Sequence, residues 1–376
     1  MILTWGSSYY LMTVLAKPIA LDTGWRFEAV TGALSLGLLV AALASPLTGR
    51  TIARIGGRPV MAAGVITLAC GLLTLAVTPW LVLFWLGWFL IGLGMAATLY
   101  DAAFATLGRL YAANARQAIT LLTLWGGFAS TVCWPLSAFV LDLFGWRAVA
   151  LLYAALHVAV TLPLVLVFLP KEAEAAVLSS APGDPAGGDA SSHRLPLLAM
   201  TGLLVVNGLI VVNVSTWLFS LLQVRGIGLA EAVLLGTLIG PAQVMARVLE
   251  MAGRGRHHPI WTTLASSSSI AIGLLALMLD LPLPALALML YGAGNGLFSI
   301  ARGALPLALF GAGRYPVIMG RLARPALVAQ AVAPTLGAWV IHSFGASRLL
   351  LVLAVLGVAH LGLTLQLWWE TRRMQH

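Results

Sequence analysis

Residues 80–107 read WLVLFWLGWFLIGLGMAATLYDAAFATL, twenty-eight positions with one charged side chain, Asp101. A helix needs about 20 mostly apolar residues to cross the hydrocarbon core of a bilayer, and this stretch exceeds that by two turns. Eleven further apolar runs flank it: Ile2–Ala20, Phe27–Thr48, Val60–Thr78, Gln117–Val140, Arg147–Leu169, Pro196–Leu222, Leu229–Glu250, Ile260–Leu279, Leu283–Leu309, Pro316–Ile341 and Arg348–Trp369. The chain of 376 residues is 60% hydrophobic and 9% charged, against roughly 25% charged in a soluble domain. A soluble globule of this size has too much surface to cover with so few polar residues. A bilayer removes that demand, so the expectation is an all-α membrane protein of twelve transmembrane helices.

The formal net charge of +9 is scattered between the runs, which fits loops retained on the cytoplasmic side better than binding of nucleic acid. Arg50, Arg54, Arg58, Arg109, Arg116, Lys171, Arg194, Arg254, Arg256, Arg314, Arg372 and Arg373 fall in one set of loops and tails. Only Arg26, Arg147, Arg225 and Arg348 fall in the other. The richer set is cytoplasmic by the positive-inside rule, and twelve crossings put both termini there, in an inner membrane. Lys17 and Lys171 are the only lysines and neither follows a glycine, so a Walker A loop is absent and ATP is not hydrolysed on this chain. Cys70 and Cys133 lie inside apolar runs with no metal-ligand or CxxC spacing. They are expected to pack, and neither a metal nor a cofactor is implied. The first run starts at Met1 with no basic leader and no small-residue cleavage site, unlike a signal peptide. Its opening turns read as mid-membrane sequence, so the expectation is an upstream start and a shortened first helix.

Between the sixth and seventh runs, Lys171 to Arg194 contains SSAPGDPAGGDASS, the composition of a flexible linker. The expected organisation is a six-helix bundle over 1–169, a cytoplasmic linker over 170–195, and a second six-helix bundle over 196–376. The halves repeat at an offset of 200 residues: Arg54 with Arg254, Pro59 with Pro259, Gly92 and Gly94 with Gly292 and Gly294, Gly145 with Gly345. An even number of helices per half gives both copies one orientation. Two pseudo-symmetric bundles related by an axis along the membrane normal follow, with transport between them.

The loop after the second run reads Gly49-Arg50-Thr51-Ile52-Ala53-Arg54-Ile55-Gly56-Gly57-Arg58. It resembles the signature loop of the major facilitator superfamily, with Gly49, Arg54, Gly56 and Arg58 in place and Ala53 where the family carries an acid. In the family that carboxylate helps lock the two halves on the cytoplasmic side, so the resemblance implies a gate motif whose lock is weaker or built elsewhere. A second, weaker copy runs from Gly253 to Pro259. Gly92-Leu93-Gly94 on the fourth run and Gly145-Trp146-Arg147 opening the sixth are also similar to the family. Trp88 stands where many members have an Arg associated with proton coupling. The resemblance covers essentially the whole chain, and within the family it leans toward bacterial members near the monocarboxylate and oxalate–formate porters. It implies no cofactor, with coupling to protons as the expected energy source.

Ionisable groups inside a membrane are costly and mark function by default. Asp101 is the one acid well inside an apolar run, and Arg302, Arg321 and Arg324 lie on the cytoplasmic half of the tenth and eleventh. Arg247 and Glu250, three apart, are expected to satisfy each other. Helical spacing draws polar stripes: Asn295, Ser299 and Arg302; Gly236, Gly240, Gln243 and Arg247; Thr123, Gly127, Ser130 and Trp134; Asn213, Thr216 or Trp217, and Ser220. Lipid does not tolerate such stripes, so they are expected to face a cavity, with Asp101, Arg302, Arg324, Asn295, Gln243 and Asn213 as substrate or coupling candidates. The seven histidines do not cluster in sequence; His157 and His360 fall on runs that are peripheral in the family.

These features point to a monomeric secondary carrier in the bilayer that moves a small organic solute, anionic and carboxylate-like, by alternating access. The excess of Arg over acid favours the anion. The alternative is an exporter of drug-like, amphipathic or metalloid compounds, with Trp5, Trp125, Trp134 and Trp217 as stacking surfaces. An intramembrane enzyme lacks any catalytic cluster, and the repeat argues against a channel. The orientation is testable. A cysteine at Ser191 should resist membrane-impermeant thiol reagents in intact cells while one at Ser347 labels, and the opposite pattern would reverse the topology.

Overall fold

The structure, a computed structural model, describes residues 1–112, 115–170, 194–253 and 257–373. Most of the linker (171–193) and residues 254–256 of the second loop copy lie outside them. Every regular element among the described residues is helical. Twelve spans follow in order: α1 (2–23), α2 (Phe27–Ile55), α3 (Gly57–Val77), α4 (Leu81–Tyr111), α5 (115–144), α6 (146–168), α7 (Arg194–Gln223), α8 (Ala230–Ala252), α9 (Pro259–Met278), α10 (284–310), α11 (312–344) and α12 (Ala346–Arg373). α5 and α6 meet at a kink at Gly145, and α10 and α11 at Gly311. Leu43, Leu47, Val82, Val167 and Phe168 stand exposed, as apolar residues facing lipid do.

Four spans are interrupted. α1 breaks over Ser7–Tyr10, α4 at Leu99, α5 at Gly127–Phe128 and α8 at Leu238. Each break frees backbone amides and carbonyls, which hydrocarbon cannot hydrogen-bond; such backbone is tolerated only inside protein or beside water. α6 carries a π-turn, His157–Thr161, a bulge that often accompanies functional positions.

The chain forms two compact units. The first holds Met1–Ala118, Trp125–Asp184 and Ala312–Ala331; the second holds Ile119–Leu124, Pro185–Gly311 and Val332–His376. In the first, Leu68, Leu72, Phe84, Trp88, Ile91 and Tyr153 form the core. One end of it is tied where Trp146 Nε1 (2.9 Å) and Arg147 Nη1 (2.6 Å) both donate to Asp22 Oδ2, which gives the Gly-Trp-Arg sequence a physical use. In the second, Ile210, Leu221, Ile270, Leu288, Tyr291 and Leu353 pack together, and Arg225 Nε donates to Asp280 Oδ1 at 2.6 Å.

Glycines set the helix crossings inside each unit, and they do so twice. A Cβ on Gly92 of α4 would lie 2.9 Å from Gly37 Cα of α2, and one on Gly292 of α10 would lie 3.1 Å from Ile239 Cα of α8. A Cβ on Gly71 of α3 would meet Gly87 O at 2.8 Å and Ile91 N at 2.9 Å; its counterpart Gly273 of α9 would meet Ala287 O at 2.6 Å and Tyr291 N at 2.8 Å. Bare backbone is what lets helices approach so closely where lipid supplies no hydrophobic push. The equivalence is 200 residues for α4 with α10, but 202 for α2 and α3 with α8 and α9. Gly57 and Pro259 both open their helices, so the Pro59–Pro259 match at 200 is out of structural register by two.

Gly145 (φ 79, ψ 173) and Gly345 (φ 87, ψ 161) keep the 200 offset and share one backbone conformation at equivalent hairpins. A side chain there is strained by about 1–3 kcal/mol. Gly145→Ala and Gly345→Ala should therefore each lower the Tm of the detergent-purified protein. Gly362→Ala, at an open helical site with nothing near the new Cβ, should leave it unchanged or raise it slightly.

Candidate functional site

The signature loop begins on the last turns of α2. Gly49 is buried there and faces α11, where a Cβ would overlap the Pro316 carbonyl and lie 3.1 Å from Gly320 Cα. Reciprocally, a Cβ on Gly320 would lie 2.5 Å from Ser45 O. Two glycines thus bring the backbones of α2 and α11 together within the first unit. Gly56 (φ 90) turns the chain into α3. Arg54 is exposed, and Arg58 Nη2 donates to the carbonyl of Leu166 in α6. At Ala53 the missing carboxylate is replaced by backbone: Arg109 of α4 donates through Nη1 to the carbonyls of Ile52 (3.1 Å) and Ala53. A cation at the carbonyl end of α2 is favoured by the helix dipole as well. Arg109 and Gly320 were not marked by sequence reasoning, because what selects them is a neighbour fifty or more residues away.

The second unit gathers another set. A Cβ on Gly296 of α10 would lie 2.8 Å from Gln243 Cα of α8. That approach carries Arg247, one turn after Gln243 and 5% exposed, against α10. Its Nε donates to Ser299 Oγ at 3.0 Å and to Gly296 O at 3.4 Å, and Ser299 Oγ donates to Gly296 O at 2.6 Å. Glu250 accepts from Thr262 Oγ1 at 2.8 Å and faces His257 Nε2 at 3.2 Å. Gln243, Asn295, Ser299 and Arg302 are all partly exposed. Arg247 ends a predicted stripe, and that stripe was the signal for it.

Asp101 and Arg324 belong to the first unit. Asp101, partly exposed, sits in the first turn after the break at Leu99, where unpaired helical amides favour a carboxylate. Arg324 of α11 is exposed. Trp88, in place of the family Arg, is fully buried with its ring 3.1 Å from the Cβ position of Gly37. An apolar plug occupies that position instead of a charge.

Around the break in α1 lies a group of rings. Trp5 is centred 5.3 Å from Tyr9, 5.9 Å from Tyr10 and 4.9 Å from Tyr100, and Tyr10 is 5.9 Å from Trp134. His157 is fully buried, with Nε2 2.7 Å from Ser7 Oγ at the same break and Nδ1 3.2 Å from Thr161 Oγ1. It therefore ties the π-turn of α6 to the broken part of α1, a role its sequence position on a peripheral run did not suggest. In the second unit, Asn213 and Trp217 of α7 face Gly337 of α11.

Comparison with known proteins fits this geometry. The chain is 28% identical to monocarboxylate transporter 3 of Rattus norvegicus over 353 residues, 87% of this chain and 68% of that protein. It is 31% identical to monocarboxylate transporter 11 of Mus musculus over 142 residues, 38% of this chain and 30% of that one, so this second match spans less than a third of its relative. The fold superposes on the human organic anion transporter MFSD10 (TETRAN) with a TM-score of 0.72 at 20% identity, covering 96% of each chain. It superposes on the proton:xylose symporter XylE bound to 6-bromo-6-deoxy-D-glucose with a TM-score of 0.69 at 15% identity, covering 98% of this chain and 92% of that one. Residues 1–323 match the Major Facilitator Superfamily, and the chain belongs to that family of multi-pass membrane transporters.

Proposed function

We propose that this transporter moves a small organic anion, with a carboxylate as its charged group, and that Arg247 is the cation that receives it. The observation that carries the reading is a guanidinium 5% exposed within α8 and oriented by Ser299 and Gly296 of α10. Placing a charge there is costly, and a guanidinium held in a fixed orientation suits two parallel hydrogen bonds to a carboxylate. Gln243, Asn295 and Arg302 extend the same polar surface. The two monocarboxylate transporter relatives support the same substrate class. In this reading the carrier works as a monomer in an inner membrane with both termini cytoplasmic. It opens inward by parting α11 from α2 at Gly49 and Gly320.

Counterflow of labelled monocarboxylates in proteoliposomes tests the anion site. Arg247→Gln should raise the apparent KM at least about tenfold, the ~1.4 kcal/mol scale of a charge-assisted hydrogen bond, and Arg247→Lys should recover little of it. Arg302→Gln and Arg324→Gln should have effects of the same sign. Unchanged transport in all three Gln variants would sink the anion reading. Drug-like, amphipathic substrates are the second reading, favoured by the rings around Trp5; its sign would be transport lost in Trp5→Ala but kept in Arg247→Gln.

Coupling to protons through Asp101 belongs to the same proposal. Protonation of Asp101, the one acid well inside an apolar run, removes a charge that is costly to hold within the bilayer. Asp101→Asn should impair transport and flatten its pH dependence. Intact pH dependence in Asp101→Asn would remove Asp101 from the mechanism.

A further inference from the structure

Asn213 and Trp217 lie one helical turn apart on α7, within the second unit. Asn213 is 5% exposed, and its Nδ2 donates to Leu209 O of its own helix at 2.9 Å. That bond turns Oδ1 outward, toward α11. Asn213 Oδ1 and Trp217 Nε1 are both buried and have no hydrogen-bond partner among the described residues. The two atoms converge on one point. A Cβ built on Gly337 would overlap Asn213 Oδ1 and lie 2.6 Å from Trp217 Nε1.

An acceptor and a donor side by side, each unmet, complement a group that both donates and accepts. A hydroxyl does this: its hydrogen reaches Asn213 Oδ1 and its oxygen receives Trp217 Nε1–H. A carboxylate does not, because it offers only acceptors and would face the Asn213 oxygen with like polarity. We propose that Asn213 and Trp217 form a hydroxyl-reading subsite for the transported solute, closed by Gly337 of α11. The subsite rests on the carboxylate reading and deepens it, since it assigns the solute a hydroxyl as well as a charged group, and it lies on different helices from Arg247.

The conformation in the structure is the closed one, because Gly337 leaves no room for another atom. It buries two polar groups without partners, which is expensive. Lifting α11 from α7 relieves that cost, and a solute hydroxyl bound to both atoms favours the lifted state further. A ligand shifts an equilibrium only by its differential affinity for the two states, and here the difference has a named origin. Only glycine at 337 permits closure, so this residue sets how completely the subsite shuts.

Two measurements test the proposal. The first needs no ligand. Gly337→Ala and Gly337→Ser both force α11 outward, but the serine hydroxyl stands where the solute hydroxyl would. Serine is the poorer helix former, yet Gly337→Ser should show the higher Tm. That advantage should vanish when either variant is combined with Trp217→Phe. The second compares lactate with propionate, and malate with succinate, pairs that differ by one hydroxyl, by thermal shift of the purified full-length protein. The wild type should bind the hydroxylated member at least about tenfold more tightly, as sites built around a hydroxyl do. Trp217→Phe and Asn213→Leu should each erase that preference.

A Gly337→Ser protein no more stable than Gly337→Ala overturns the subsite, whatever carboxylates bind. A hydroxyl preference that survives in both α7 variants overturns it too. If no carboxylate shifts the wild type, the carboxylate reading fails separately, and the stability order of the position 337 variants still decides the donor–acceptor pair.

Discussion

Hydrocarbon offers no partner to a backbone amide or carbonyl, and it gives two apolar helices no reason to prefer each other over lipid. Both facts act on every crossing in this protein. The first leaves helices and closed barrels as spanning elements, and every described span here is a helix. The second leaves close backbone approach as the main source of cohesion, and this chain obtains it with glycine. The pairs Gly37–Gly92 and Gly71–Gly87 in the first unit, and Gly292 with Ile239 and Gly273 with Ala287 in the second, place helix backbones in direct contact. Rings and branched side chains such as Trp88, Phe84 and Tyr291 then fill the space around those crossings.

The same close approach carries the functional geometry. Gly296 sits on the backbone of Gln243, and only that separation brings Arg247 within 3.0 Å of Ser299. Gly49 against Gly320 joins α2 to α11 without any side chain. Backbone contact of this kind can part and re-form without disturbing a rotamer, which is what the proposed inward opening requires. The charges near it act on the backbone as well: Arg109 holds the carbonyls of Ile52 and Ala53, and Arg58 that of Leu166. A carboxylate lock at position 53 would respond to pH and salt. A guanidinium on a helix end does not respond to pH over the physiological range, because Arg stays charged.

The interruptions in α1, α4, α5 and α8 have a common consequence. Each one leaves main-chain groups that need protein or water, and each lies beside a polar or aromatic residue: Ser7 and Ser8 in α1, Asp101 in α4, Thr237 in α8. His157 stabilises the break in α1 by bonding Ser7 from the π-turn of α6. α6 can thereby govern the shape of the helix that carries the ring cluster at Trp5.

The twelve crossings, the membrane setting and the family were legible in the sequence because they depend on local quantities: the length of apolar runs, the placement of Arg, the glycine pattern of one loop. The internal repeat was legible too, through Gly92 with Gly292 and Gly145 with Gly345, since those positions answer to backbone constraints that repeat with the fold. The stripe containing Gln243 and Arg247 came from helical periodicity alone. What tertiary structure decided was partnership. Arg247 also reaches Ser299 on α10, and Glu250 reaches Thr262 on α9, partners far away in the chain. Gly320 and Gly337 read in sequence as ordinary small residues of a membrane helix. Their meaning comes from Ser45 and Gly49 in one case, and Asn213 and Trp217 in the other. The two-residue shift of α8 and α9 against the 200 offset was likewise invisible, because a repeat of helices tolerates insertions in its loops and only the crossings keep register. Local chemistry determines which elements form in a bilayer; which faces meet depends on separations of a few ångströms between segments far apart in the chain, and those are set by packing the whole bundle.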